Sequence, residues 1–162
     1  MQVLFFKQGL VNFSDLFLKS KGEPIQYGKK TLLLIDHFPV ENEFQIMLKL
    51  ISTNSDWKQA IQIAINSGSM TVDGVIKRKR FRFWEDDLRQ EPDQTIIIHG
   101  KTKDKYLSFW NTYERVYGDG QKVIESWTMN AAMIKGEDGA YYCNDAQMND
   151  DFHDLIFQIK AI

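Results

Sequence analysis

Three groups of residues in this chain carry types and spacings suited to chemistry. The first is an acidic cluster, Asp145, Asp150, Asp151 and Asp154, interleaved with Asn144 and His153. Closely spaced carboxylates hold divalent cations. However, Asp150-Asp151-Phe152-His153-Asp154 lacks the glycine and the closing glutamate of a calcium loop. A solvated turn before the last strand accounts for the cluster more simply. A third use is recognition, because grouped carboxylates complement a basic surface and speed encounter.

The second group is Lys77-Arg78-Lys79-Arg80-Phe81-Arg82-Phe83-Trp84. On a strand, Arg78, Arg80 and Arg82 share one face, and Lys79, Phe81 and Phe83 the other. Cations interleaved with aromatics hold phosphates and stack bases, so Arg78, Arg80, Arg82 and Trp84 define an alternative reading as a nucleic-acid-binding module. The competing reading is an edge strand protected from aggregation by its charges, with its phenylalanines in the core. Glu85-Asp86-Asp87 follows directly and is expected to neutralise part of the charge, which weighs against direct nucleic-acid contact.

The third group is sparse. His37, His99 and His153 are the only histidines, and no two stand at helical ligand spacing for zinc. Cys143 is the sole cysteine, which excludes an intramolecular disulfide and a cysteine-pair metal site. Beside Tyr141 and Tyr142 it reads as a small core residue. Glu114 and Glu125, as an acid/base pair, fall on paired strands with no sign of a pocket. No phosphate-binding glycine loop occurs. We therefore assign no catalytic residue, cofactor or metal, and expect a protein that is not an enzyme. Most of the four tryptophans, Trp57, Trp84, Trp110 and Trp127, belong to a core, with one or two left to anchor a partner.

The elements positioning these groups are mainly strands. Tyr106–Tyr117 and Gln121–Ile134 flank Gly118-Asp119-Gly120, which predicts a long hairpin over about 106–134. A three-residue loop sets Tyr117 opposite Gln121, Tyr113 opposite Glu125, Phe109 opposite Met129 and Leu107 opposite Ala131. A two-residue loop would oppose Glu114 to Glu125 and mix the faces, so the longer loop is favoured. Thr31–Asp36 and Phe44–Ser52 read as adjacent strands, the second alternating at Phe44, Ile46, Leu48 and Leu50. Ser55 or Asp56 caps a predicted helix with Trp57, Ile61, Ala64 and Ile65 on one face and Gly68 at its end, a strand over Ala60–Ile65 remaining open. Asp73-Gly74 predicts a turn leading to a strand that reaches about Trp84. Short helical turns are expected after Ser14-Asp15 and over Glu85–Arg89. Strands are expected over Thr95–His99 and Asp154–Lys160, with a turn at Gly136–Gly139.

At 162 residues, 43% hydrophobic and 26% charged, the composition is that of one globular domain, 1–162. The expected class is α+β, a broad, mainly antiparallel sheet with a few short helices. A net charge of -2 offers no general attraction to nucleic acid. Met1-Gln2-Val3-Leu4-Phe5-Phe6 lacks a basic flank and is cut short by Lys7, so no signal peptide or membrane span is expected, and the setting is read as cytoplasmic.

Asn66-Ser67-Gly68, Phe83-Trp84-Glu85-Asp86, Ser126-Trp127-Thr128-Met129-Asn130-Ala131-Ala132-Met133-Ile134, Tyr142-Cys143-Asn144-Asp145 and Asp151-Phe152-His153-Asp154-Leu155-Ile156-Phe157 occur in that order. In order and texture, from Trp57 onward, they resemble the immunity proteins of bacterial contact-dependent growth inhibition systems, the subgroup that neutralises nuclease toxins. The resemblance implies a cytoplasmic antitoxin that binds a delivered toxin domain, in one subgroup by accepting a toxin β-hairpin that extends its sheet. Charge and exposure logic, separately, names Glu85, Asp86, Asp87, Asp145, Asp150 and Asp151 as partner-binding carboxylates for a basic toxin.

Overall fold

The chain folds as a sheet-rich, mainly antiparallel α+β structure whose strands are rich in β-branched and aromatic residues. The structure is a computed structural model and describes residues 2–4, 12–74, 76–147 and 151–162. In chain order its first elements are β1 (Gln2–Leu4), α1 (Phe13–Lys19), β2 (Ile25–Tyr27), β3 (Lys30–Leu32) and β4 (Asp36–Pro39). Then come β5 (Glu43–Thr53), β6 (Lys58–Ala64), β7 (Ser69–Val72), β8 (Ile76–Arg78), β9 (Arg80–Trp84) and α2 (Glu85–Arg89). A 3-10 turn at Pro92–Gln94 leads into β10 (Thr95–Lys101), β11 (Tyr106–Val116) and β12 (Lys122–Glu125). The chain closes with β13 (Ala132–Lys135), β14 (Tyr141–Asn144) and β15 (Leu155–Ala161).

The strands form three sheets. β1-β2-β3 is small, and its β1–β2 pair is parallel. A seven-stranded sheet runs β13-β14-β15-β5-β10-β7-β8. A five-stranded sheet runs β12-β11-β6-β9, with β4 also paired to β11. The two large sheets share one core, with Ile46, Leu48 and Leu50 meeting Ile61, Ile63, Leu107, Phe109 and Phe157. That core is the alternation of β5 made physical. The α1 helix, capped by the Asn12 side chain on the Ser14 amide, packs Phe13, Leu16 and Phe17 against Ile25, Leu32 and Phe152. Among the described residues, no helix is long and apolar enough to cross a membrane.

Four expectations about elements need correction. The segment expected as a helix from Ser55 to Gly68 is β6, paired with β11 on one side and β9 on the other. Every residue from Gln59 to Ile65 is buried, so both faces are covered and no alternation survives to mark a strand. Gly68 closes no helix. It has φ +83, and a Cβ there would lie 1.8 Å from the Lys101 carbonyl oxygen, so the close approach of two backbones requires it.

Thr31–Asp36 is not one strand beside β5. The β3 strand ends at Leu32, Leu33 bridges singly to Met133, and β4 joins the other sheet, while β5 lies between β15 and β10. The strand expected from the Asp73-Gly74 turn to Trp84 is two strands. Lys79 carries the chain from β8 in one sheet to β9 in the other.

The fourth concerns the hairpin. Its loop and register hold from Tyr117–Gln121 to Tyr113–Glu125. Beyond Glu125 it departs from expectation, because Trp127 and Met129 take φ 64 and 47, which no strand sustains. Phe109 and Leu107 therefore pair with Asp36 and Phe38 of β4 rather than with Met129 and Ala131.

Candidate functional site

The β11–β12 hairpin positions the most distinctive exposed surface. The Tyr117 N–H donates to the Gln121 carbonyl at 2.8 Å, so antiparallel alternation makes Arg115–Val123 and Tyr113–Glu125 the hydrogen-bonded pairs. Lys122 and Ile124 consequently point their backbone N–H and C=O groups away from β11. Because β12 ends the sheet order, those groups stand at an edge that is open among the described residues. Large apolar side chains surround it: Val116 is 40% exposed, Tyr117 37%, Ile124 46% and Trp127 39%.

Charge completes the surface. Lys58, Glu114 and Ile124 follow one another across the sheet, and Asp86 of α2 pairs with Lys58 at 3.1 Å. The Lys58 pKa is raised, first by its hydrogen bond to Asp86 and also by the charges of Glu114 and Asp87. Three carboxylates thus gather around one ammonium. Net negative charge lies next to the apolar edge.

A half-buried network holds the 126–131 loop behind this surface. The Tyr113 hydroxyl meets Thr128 Oγ1 at 2.6 Å, and the Thr128 hydroxyl donates to Glu125 at 3.0 Å. Ser126 Oγ donates to Thr112 Oγ1 at 2.8 Å. Arg115 reaches Glu125 at 3.6 Å and lies over the rings of Trp57 and Tyr117. Burial pushes the Tyr113 pKa up to about 12, so this hydroxyl is a structural donor at physiological pH. Tyr113→Phe is expected to cost about 1 kcal/mol and to speed amide exchange at Thr128. Unchanged exchange would remove the network from its holding role.

The six carboxylates named from the sequence divide sharply. Asp86 and Asp87 are exposed on α2, and Asp86 reaches Lys58 of β6, one strand beyond the hairpin. Asp151 is exposed but lies elsewhere, with Asp154, Ser55, Asp56 and Gln147 around a polar hollow of about 390 Å³. Asp150 lies outside the described residues. Glu85 and Asp145 are corrections, since both are buried and neither is offered to a partner.

Glu85 accepts from Thr53 Oγ1 at 2.6 Å and from the Gln59 amide N–H at 2.9 Å, and pairs with Arg89 at 2.6 Å. Asp145 accepts from Ser55 Oγ at 2.5 Å, Gln59 Nε2 at 3.0 Å and the Gln147 amide at 2.9 Å. Gln59 therefore links the two inside the fold. Its interior amide was missed because the segment was read as a helix.

Other candidates resolve into structure. Cys143 is fully buried, and burial raises its pKa, which leaves an unreactive thiol. His37 bonds Ser108 at 3.0 Å on the outer face of β4 and β11. Among the described residues, no group of three carboxylate, imidazole or thiol side chains is placed to hold a metal ion. The basic run lies on edge strands β8 and β9, with Phe81 and Phe83 partly buried against the core. Glu85 and Asp86 do not neutralise it, because they pair with Arg89 and Lys58. Comparison with protein-family models, with curated proteins and with solved structures finds no match to this chain.

Proposed function

We propose that this chain is a cytoplasmic immunity protein that binds and neutralises a bacterial toxin domain, a basic nuclease, by accepting a toxin strand at the β12 edge. One observation carries the proposal: a strand edge, open among the described residues and flanked by exposed apolar side chains, with Glu114 on the adjacent strand and Asp86 on Lys58 one strand further. Backbone groups at Lys122 and Ile124 supply the pairing, and apolar anchors supply affinity. The carboxylates chiefly accelerate encounter.

The test is co-expression with the C-terminal domain of the product encoded immediately upstream, where that product is a secreted toxin. Wild type is expected to protect cells and to co-purify with that domain. Ile124→Asp is expected to weaken binding by about tenfold or more while leaving the fold intact. Asp86→Lys with Asp87→Lys is expected to slow association roughly tenfold at low salt and little at high salt. An on-rate indifferent to both charge and salt would remove the acidic component, and failure of wild type to protect would end the reading itself.

A further inference from the structure

The opposite edge of the five-stranded sheet has a different character. In the strand order β12-β11-β6-β9, β9 stands farthest from β12, and through Lys79 it continues into β8 at the edge of the other large sheet. Lys77, Arg78, Lys79, Arg80 and Arg82 are all exposed along this line. Among the described residues, none of them has a carboxylate at ion-pair distance, whereas Lys49, Lys58, Arg89, Lys101 and Arg115 each do. Arg82 has one neutral partner, donating Nε–H to Gln62 at 3.1 Å.

The backbone adds donors. Ile65 N–H donates to the Lys79 carbonyl at 2.9 Å, so by alternation Lys79, Phe81 and Phe83 turn their backbone groups toward β6. Arg80, Arg82 and Trp84 turn theirs outward, on the same residues whose side chains line the outer face. The Arg80 and Arg82 Cα atoms are about 6.6 Å apart along the strand, a spacing comparable to that of successive phosphates on an extended chain. Trp84 is half-buried, with Lys58 and Arg82 over its ring at 5.0 and 5.9 Å.

We propose that the β8–β9 edge binds single-stranded nucleic acid, with Arg78, Arg80 and Arg82 on phosphates and Trp84 against a base. Charge complementarity selects a polyanion, because the cations follow one another along the edge rather than alternating with carboxylates. Three of the five are arginines, whose planar forks suit phosphate oxygens. A half-buried aromatic among cations offers a base a stacking surface, and an acidic peptide strand gains little from it. The arginines lie on the edge opposite β12, while Trp84 adjoins the Lys58–Asp86 pair of the toxin-binding surface; the site does not depend on that reading.

The experiment titrates the full chain against labelled oligo-dT, a matched duplex and poly-glutamate across a salt series. Oligo-dT is expected to bind at micromolar protein, with affinity falling steeply as salt rises. Arg78→Glu with Arg80→Glu, both exposed, is expected to weaken it at least tenfold and to lower the salt slope by about 1.4. Trp84→Leu, checked for fold by circular dichroism, is expected to weaken binding about tenfold without changing that slope. Lys160→Glu, which removes a distant exposed cation, is expected to change neither. Absence of salt-sensitive binding overturns the proposal. So does tighter capture of poly-glutamate than of oligo-dT, which would assign the edge to an acidic polypeptide, or equal duplex binding that Trp84→Leu leaves unaltered.

Discussion

Asp154→Asn is expected to melt at a higher temperature than wild type above pH 7 and to lose the advantage near pH 4. Asp154 is 1% exposed and accepts from the Asp145 N–H at 2.9 Å. Burial first, then the nearby charges of Asp145 and Asp151, raise its pKa from the usual 3.8 to about 7. The sign follows from linkage. Between those two values the folded chain retains a proton that the unfolded chain has released, so stability falls as pH rises through the window. The loss approaches about 1.4 kcal/mol per pH unit for one proton, or about 3–6 °C in Tm for a chain of this size. Asparagine keeps the acceptor oxygen and cannot ionise, so the variant's curve should be flatter by that amount. Thermal melts from pH 4 to pH 8 check it, and parallel curves for the two proteins would show that Asp154 does not hold the proton. The local consequence concerns the 145–154 acidic segment. A buried carboxyl is a poor lure for a basic partner, which further separates Asp154 from the hairpin surface.

The parts of this fold that could be read from sequence are those where one face of a strand is wet. β5 announced itself because Phe44, Ile46, Leu48 and Leu50 are buried while Glu43 and Gln45 are exposed. The hairpin loop was legible because Gly120 supplies the left-handed position that a three-residue loop requires and like charges disfavour the other register. β6 was not legible, because Gln59 to Ile65 are buried on both faces and Ile61, Ala64 and Ile65 also fit a helical period. The hairpin's break at Ser126 was hidden for a different reason. The left-handed turns of Trp127 and Met129 are stabilised by Tyr113 and Arg115, whose contribution depends on tertiary placement. Site reading failed in the same way. Glu85 looks like the first residue of an acidic surface run, yet its partners Thr53 and Gln59 come from β5 and β6. Asp86 and Asp87, one step further along α2, reach solvent. Charge type is written in the sequence, whereas which carboxylate faces inward depends on where a helix of one turn meets the sheet.

Glu85→Ala is accordingly expected to unfold the protein more readily and to leave encounter with a partner unchanged. The substitution strips the buried Gln59 N–H of its acceptor, a loss of about 1–3 kcal/mol for an interior amide. It also removes the acceptor of Thr53 Oγ1 and the carboxylate partner of Arg89, which keeps its bond to Thr53 Oγ1. The Arg89 side chain is 42% exposed and can recover water, so its share is discounted. The total should be about 2–3 kcal/mol, or about 4–12 °C in Tm. Arg89→Ala should cost less, because Glu85 then keeps both uncharged donors. Glu85→Gln should fall between them, since it retains an acceptor for Gln59 but brings an amide toward Arg89. Urea titrations rank the three variants, and association rates measured under conditions where each remains folded complete the test. The order Ala at position 85, then Gln, then Ala at position 89, with equal on-rates throughout, is the signature of an interior clamp that docks α2 and thereby aims Asp86 and Asp87 outward. A Glu85→Ala protein as stable as wild type that associates selectively more slowly would return this carboxylate to the binding surface.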